Sequence, residues 1–175
     1  MRQEISKVNY EQAEKYWVEH DKATVKMPLS EIKKTADDFL SSHNTAALAT
    51  GCKDLVRCTP IEYCLLNGYI YMLSEGGMKF HSLKDNKQVC LGIYEPYQGF
   101  GKLASIQITG TAEILCFGCE EYKKVLAFKK IPEAAIQKLN HPMYLIKVKP
   151  RKMELLFSSF TEKGYASRQQ IEEFY

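Results

Sequence analysis

Leu65-Leu66-Asn67-Gly68-Tyr69-Ile70-Tyr71-Met72-Leu73-Ser74 (residues 65–74) reads as the heart of a β-hairpin. Asn-Gly favours the left-handed two-residue turn that suits twisted antiparallel strands, and apolar or aromatic residues flank it on both sides. Tyr69–Ser74 is the returning strand. Upstream, residues 55–66 form a long partner strand, and Pro60 inside it marks an edge or a bulge. Before that strand, Thr45-Ala46-Ala47-Leu48-Ala49-Thr50 is a short apolar run closed by Gly51. Downstream, Glu75-Gly76-Gly77 is a turn leading into a short helix, Met78–Asp85, and Val89–Tyr94 is a fourth strand. Lys102–Cys116 is another long strand with Gly110 in its middle, where a glycine lets a sheet bend toward a barrel. Residues 119–139 return to helical spacing. Tyr144–Val148 and Met153–Phe157 close the set around Pro150, and the tail 158–175 reads as a short helix.

The first forty residues are helical in pattern. Tyr10, Ala13, Trp17 and Val18 fall on one face. After Pro28, Ser30 is a candidate cap for a second helix, in which Ile32, Ala36, Phe39 and Leu40 repeat at helical spacing. Lys33, Lys34, Asp37 and Asp38 face outward. Antiparallel hairpins with one bent, glycine-bearing strand favour a barrel over a βαβ sheet. The expected fold is mainly β with flanking helices, a six-stranded antiparallel split β-barrel. Residues 1–43 pack helices on it, and 44–157 form the barrel.

The chain has 175 residues, enough for one domain that buries roughly 70% of its unfolded surface. Its net charge of +3 is spread out, and the densest basic run, Lys147–Lys152, falls short of a nucleic-acid footprint. Met1–Ile5 lacks the apolar core of a signal peptide, and no run reaches the ~18 apolar residues of a membrane span. Six cysteines without an export signal are expected to be reduced thiols of a cytoplasmic protein.

Chemistry concentrates in Ser74-Glu75-Gly76-Gly77-Met78-Lys79. Glycines let backbone amides approach an anion, a helix N-terminus adds partial positive charge, and the lysine adds a full one. The spacing is not that of a nucleotide-triphosphate loop. The plain alternative is a strand-to-helix turn with a surface lysine. Arg57 and Thr59 share a strand face, with Pro60 just beyond. Ser105, Gln107 and Thr109 make one face of the fifth strand polar, either because water covers it or because a flat heteroaromatic ligand lies along it.

From about residue 40 to 116 the chain resembles the flavin-binding core of the pyridoxamine 5′-phosphate oxidase-like superfamily. The pieces are "AALAT", "VRCTPIEY", "NGYIYMLSEGGMKFHSLKDN", "VCLGIY" and "SIQITGTAEI", in that order. The branch it is most similar to contains nitroimidazole-resistance-like and general-stress-like proteins. The resemblance implies an FMN-dependent oxidoreductase that reduces a small electrophile with a nicotinamide donor, built as a homodimer with FMN at its interface. It implies that Lys79 and Ser74 hold the phosphate and that Arg57 makes a second phosphate or ribityl contact. Backbone groups at Cys58, Thr59 and Pro60 would run along the isoalloxazine edge, with Leu73 and Met78 lining the pocket. Gln107 would reach over from the partner subunit. The substrate signature of the true oxidases is missing: the sole Trp is Trp17, and the tail "SSFTEKGYASRQQIEEFY" lacks it. Vitamin synthesis is therefore not expected. Cys52-Lys53-Asp54-Leu55 also stands where the family usually has an Asp-Gly-Arg-Pro turn.

Other features have plainer readings. Cys116-Phe117-Gly118-Cys119 is either redox-active or half a zinc site, with structural thiols preferred because no second ligand pair accompanies it. Cys52, Cys58 and Cys64 are expected to be buried. His81, two residues after Lys79, is a surface residue or, in a haem-binding variant of the same fold, an iron ligand. His20 and His43 end helices, and His141 stands apart. No metal site and no catalytic side chain is assigned. Two other functions stay open: a non-catalytic flavin- or haem-binding sensor, and an oligonucleotide-binding barrel suggested by aromatic-rich strands.

Overall fold

The computed structural model describes residues 8–22 and 24–172, without the side chains of Trp17, Asp21 and Lys22. The Trp17 side chain of the expected helical face and the N-terminal pentapeptide therefore lie outside the described residues, while Tyr10, Ala13 and Val18 of that face are exposed. Two helices, α1 (Tyr10–Lys22) and α2 (Leu29–Ser42), precede the strands β1 (Thr45–Cys52), β2 (Leu55–Glu62), β3 (Cys64–Leu66) and β4 (Tyr69–Ser74). Then come α3 (Met78–Asp85), β5 (Gln88–Tyr94), β6 (Ala104–Leu115), α4 (Glu120–Phe128), α5 (Glu133–Gln137), β7 (Tyr144–Phe157) and β8 (Arg168–Ile171). All pairings are antiparallel, in the order β2-β1-β5-β6-β7-β4-β3, with β8 added to β7.

Among the described residues the strands number eight rather than six. The expected long strand 55–66 breaks at Tyr63, so β2 lies at one end of the sheet order and β3 at the other. One covalent run thus serves both edges and curls the sheet into a split barrel. Tyr63 pins the break: its amide donates to the Asn44 carbonyl at 2.7 Å, and its buried hydroxyl donates to the Leu40 carbonyl at 2.8 Å. The runs on either side of Pro150 merge into one strand. Pro150 sits where β4 no longer pairs and β8 does not yet pair, so its missing N–H removes no ladder bond on that edge. The tail forms a 3₁₀ turn, Ser158–Lys163, and then β8 instead of a helix.

Inward residues of alternate strands fill the barrel. Leu48, Ile70, Met72, Leu91, Ile106, Ile108, Ile146 and Val148 are all at most 1% exposed. Helix α2 adds Ile32, Ala36, Phe39 and Leu40 to this core, as its periodicity requires. It starts after Pro28, so Ser30 lies inside the first turn and caps nothing. The described side chains of α1 are exposed, so the helical packing expected of residues 1–43 is supplied by α2. Helix α4 buries Tyr122, Val125 and Leu126 against the outward side of β4 and β7, through Tyr71 and Leu145. The Tyr71 hydroxyl donates to Glu121 there, and Lys147 holds the same carboxylate at 2.6 Å. The outward faces of β1 and β5 present Ala47, Ala49, Cys90 and Gly92, flanked by Ser105 and Thr109 of β6.

Gly110 sits beside the register shift between β6 and β7. A Cβ there would lie 2.6 Å from the Lys149 carbonyl oxygen and 2.8 Å from Val148 Cγ1. Gly110→Ala is expected to lower stability by about 2–3 kcal/mol, a fall in melting temperature of roughly 5–10 °C. An unchanged transition would show that the strands do not approach this closely. Burial pushes the Tyr63 phenol from its ordinary 10.0 up to about 12. The unfolded chain loses that proton first, so stability should fall as pH rises from about 10 to 12. Tyr63→Phe should flatten that slope while costing about 1–2 kcal/mol at neutral pH from the unpaired Leu40 carbonyl. Denaturant titrations across that range check both.

Candidate functional site

The inward alternation of β4 ends at Ser74, which is buried, and the chain must then turn sharply to start α3. Gly76 and Gly77 make the turn at φ +118° and +91°, values that side chains rarely adopt. The Ser74 hydroxyl accepts the Gly76 amide at 3.2 Å. Gly77 caps α3 with no side-chain hydrogen bond, so the first amides of the helix point out uncapped. Phe80 packs against Tyr144 with the rings tilted by 50°, centroids 4.9 Å apart, and anchors the helix to the start of β7. Ser82 and Leu83 bury its other side, against β1 and toward β2.

Lys79 folds back over this turn and donates to the Gly76 carbonyl. No carboxylate lies within ion-pair distance of it among the described residues. Burial lowers its pKa below the ordinary lysine value, and the nearby Glu75 offsets part of that effect. A half-desolvated ammonium beside uncapped amides gains from any anion that reaches it.

Register places the other expected contacts. Arg57 is opposite Thr50 and Thr59 is opposite Leu48, so both share the inward face that α3 partly covers. Arg57 is exposed and forms no ion pair among the described residues. Cys58 and Pro60 point the other way, beside Ala49 and Ala47. Cys58 is exposed, contrary to the burial expected of it, because no element covers that side of β2. β2 pairs on one edge only, as Pro60 suggested, so the backbone groups of alternate residues in the run 58–60 that point to its other edge are open to a ligand. Among the described residues, two buried hydroxyls, Thr50 Oγ1 on β1 and Ser82 Oγ on α3, find no hydrogen-bond partner.

Ser74, Met78 and Lys79 therefore gather at one turn, with Met78 52% exposed beside it. Leu73 does not join them. It points to the opposite side of β4 and packs in the cluster beneath α4. Gln107 also lies apart, exposed in the middle of β6, three strand spacings or roughly 14 Å from β2. It lines a polar cavity of about 300 Å³ with Ser105, Glu154 and Arg168. Sequence reasoning missed a second, largely apolar cleft of about 830 Å³ at the end of the barrel. Phe117, Ile136, Leu139, His141, Met143 and Tyr144 line it, and His141 lies 3.8 Å from Glu75. Its wall exists because the helix expected over 119–139 breaks at Lys130, φ +56°, and Pro132. Pro132 was the visible signal.

No curated protein matches the sequence. Solved structures match the fold. ChuZ from Campylobacter jejuni superposes with a TM-score of 0.65 at 19% identity, over 85% of this chain and 62% of that one. A FAD-binding protein from Mesorhizobium loti gives 0.53 at 17% identity, over 69% and 89%. HutZ, the haem storage protein from Vibrio cholerae, gives 0.57 at 15% identity, over 67% and 88%. The sequence profile of the pyridoxamine 5′-phosphate oxidase family matches residues 32–157, from α2 to the end of β7. This chain belongs to that family.

Proposed function

We propose that the chain binds FMN between two copies of itself and uses it to reduce a small electrophile with electrons from a nicotinamide. The observation that carries the reading is the uncapped Gly76-Gly77 turn at the start of α3, with the desolvated Lys79 beside it. Gly76, Gly77 and Lys79 would hold the FMN phosphate, with Arg57 from β2 as the second cation and Ser74 fixing the turn. The open edge of β2 would supply hydrogen bonds to the flavin ring through Cys58, Thr59 and Pro60. Bound flavin supplies the hydride chemistry, and the protein contributes binding, orientation and exclusion of water.

A second copy answers two features of the fold. The outward face of β1 and β5 is flat and carries small side chains, which lets another sheet approach closely. Gln107 lies three strands from β2 in its own chain, and in this reading it serves the site of the other copy. In the non-catalytic reading the same site holds flavin without turnover. Neighbours of this fold described as binding or storing haem support a haem variant. In that variant His141, which lines the apolar cleft, joins His81 on α3 as a ligand candidate.

The test is the visible spectrum of the purified protein titrated with FMN and, separately, with haemin. Flavin bands that travel with a dimer on gel filtration support the reading, and a Soret band in their place supports haem. Lys79→Ala should weaken FMN binding about 10- to 100-fold without changing the melting temperature, as expected for loss of one charge-assisted contact. Unchanged affinity would remove Lys79 from the site. Rapid reduction of bound flavin by a nicotinamide, with reoxidation by an organic acceptor, separates the enzyme from the non-catalytic binder.

A further inference from the structure

The Cys116-Phe117-Gly118-Cys119 segment joins β6 to α4 as a tight turn, in which the Cys119 amide donates to the Cys116 carbonyl at 3.3 Å. Gly118 adopts φ +76° as the third residue, the value that a type II turn requires. The ends of such a turn lie within about 7 Å at Cα, which overlaps the ~4.4–6.8 Å span of a disulfide. A turn of this kind brings the backbones of its two end residues into the range that a disulfide spans.

Their environments differ in a useful way. Cys116 is exposed and lines the apolar cleft with Phe117 and Tyr144. Cys119 is half-buried and caps α4, where its sulfur accepts the Tyr122 amide at 3.4 Å. Among the described residues no group of three His, Cys, Asp or Glu side chains could hold a metal, so the pair gains no further ligands. A closed zinc site needs four.

We propose that Cys116 and Cys119 form a thiol–disulfide exchange pair that reduces small aryl or otherwise apolar disulfides seated in the adjoining cleft. The Cys116 thiolate attacks one sulfur of the disulfide RSSR, giving a mixed disulfide and releasing RS⁻, which takes up the proton Cys116 gave up. The Cys119 thiolate then attacks Cys116 Sγ and expels the second thiolate, which is protonated likewise. The sum is a dithiol plus RSSR going to an intramolecular disulfide plus two RSH. The incoming disulfide is the oxidant, and the dithiol loses two electrons and two protons. The cleft supplies the apolar wall for the R group retained on Cys116. The pair needs no flavin, and its cleft adjoins the Lys79 turn only through His141 and Tyr144, which approach Glu75 and Gly76.

The test uses the reduced full-length chain without added flavin, exposed to one equivalent of an aromatic disulfide, dithiobis(nitrobenzoate). Tryptic peptide 103–123 contains both cysteines and no other. It should become two hydrogens lighter, with two aryl thiols released for each event. Cys119→Ser keeps a preferred helix cap and removes only the second thiol, so this variant should trap the aryl adduct on Cys116 and release one. Cys116 should also react about tenfold faster than exposed Cys58, the equivalent of ~1.4 kcal/mol for seating one ring. Peptide 103–123 remaining reduced, or holding a stable adduct while Cys119 is present, would overturn the exchange pair. Equal rates at Cys116 and Cys58 would overturn the role of the cleft.

Discussion

The bend at Tyr63 is the constraint from which the rest of the architecture follows. β2 and β3 are one covalent run, yet they stand at opposite ends of the strand order, so the sheet has to curl. Two hydrogen bonds from Tyr63, one to the start of β1 and one to the end of α2, fix where the run breaks. α2 is then held across the barrel with its apolar stripe inward. A buried phenol that must be paired makes this a single arrangement, because the unpaired alternative costs more than the hydrogen bond returns.

The same bend creates the site. β2 leaves the barrel wall with one edge unpaired, and α3 covers only part of its inward face. Between them lies the turn after β4, whose two glycines hold conformations that other residues resist. The helix begins without a side-chain cap, a local loss of stability that an anion can repay. Among the described residues no carboxylate reaches ion-pair distance of the cation beside that gap, which is partly desolvated, so it is matched to an incoming negative charge.

Much of this was legible in the sequence where local chemistry fixes the answer. Asn67 and Gly68 both adopt positive φ, 51° and 77°, which is why the dipeptide alone placed the hairpin. The α2 stripe followed from its period, and Gly110 from the need for a bend. What stayed hidden depends on tertiary context. No local signal shows that Tyr63 ends one strand and starts another. Pro150 looked like a terminator, and only the staggered ends of β4 and β8 explain its place inside β7. The resemblance implied a pocket role for Leu73, but alternation sends it to the face of β4 opposite Ser74. The apolar cleft needs the α4–α5 break and the end of β6 together, and neither announces the other.

The central claim is that the turn at Gly76-Gly77 and Lys79 recognises a phosphate. The most direct measurement compares the affinity of the protein for FMN with that for riboflavin, which differs only in lacking the phosphate. The account predicts that FMN binds about 100-fold more tightly or better, and that the gap largely closes in Lys79→Ala. Equal affinities for the two flavins would contradict it.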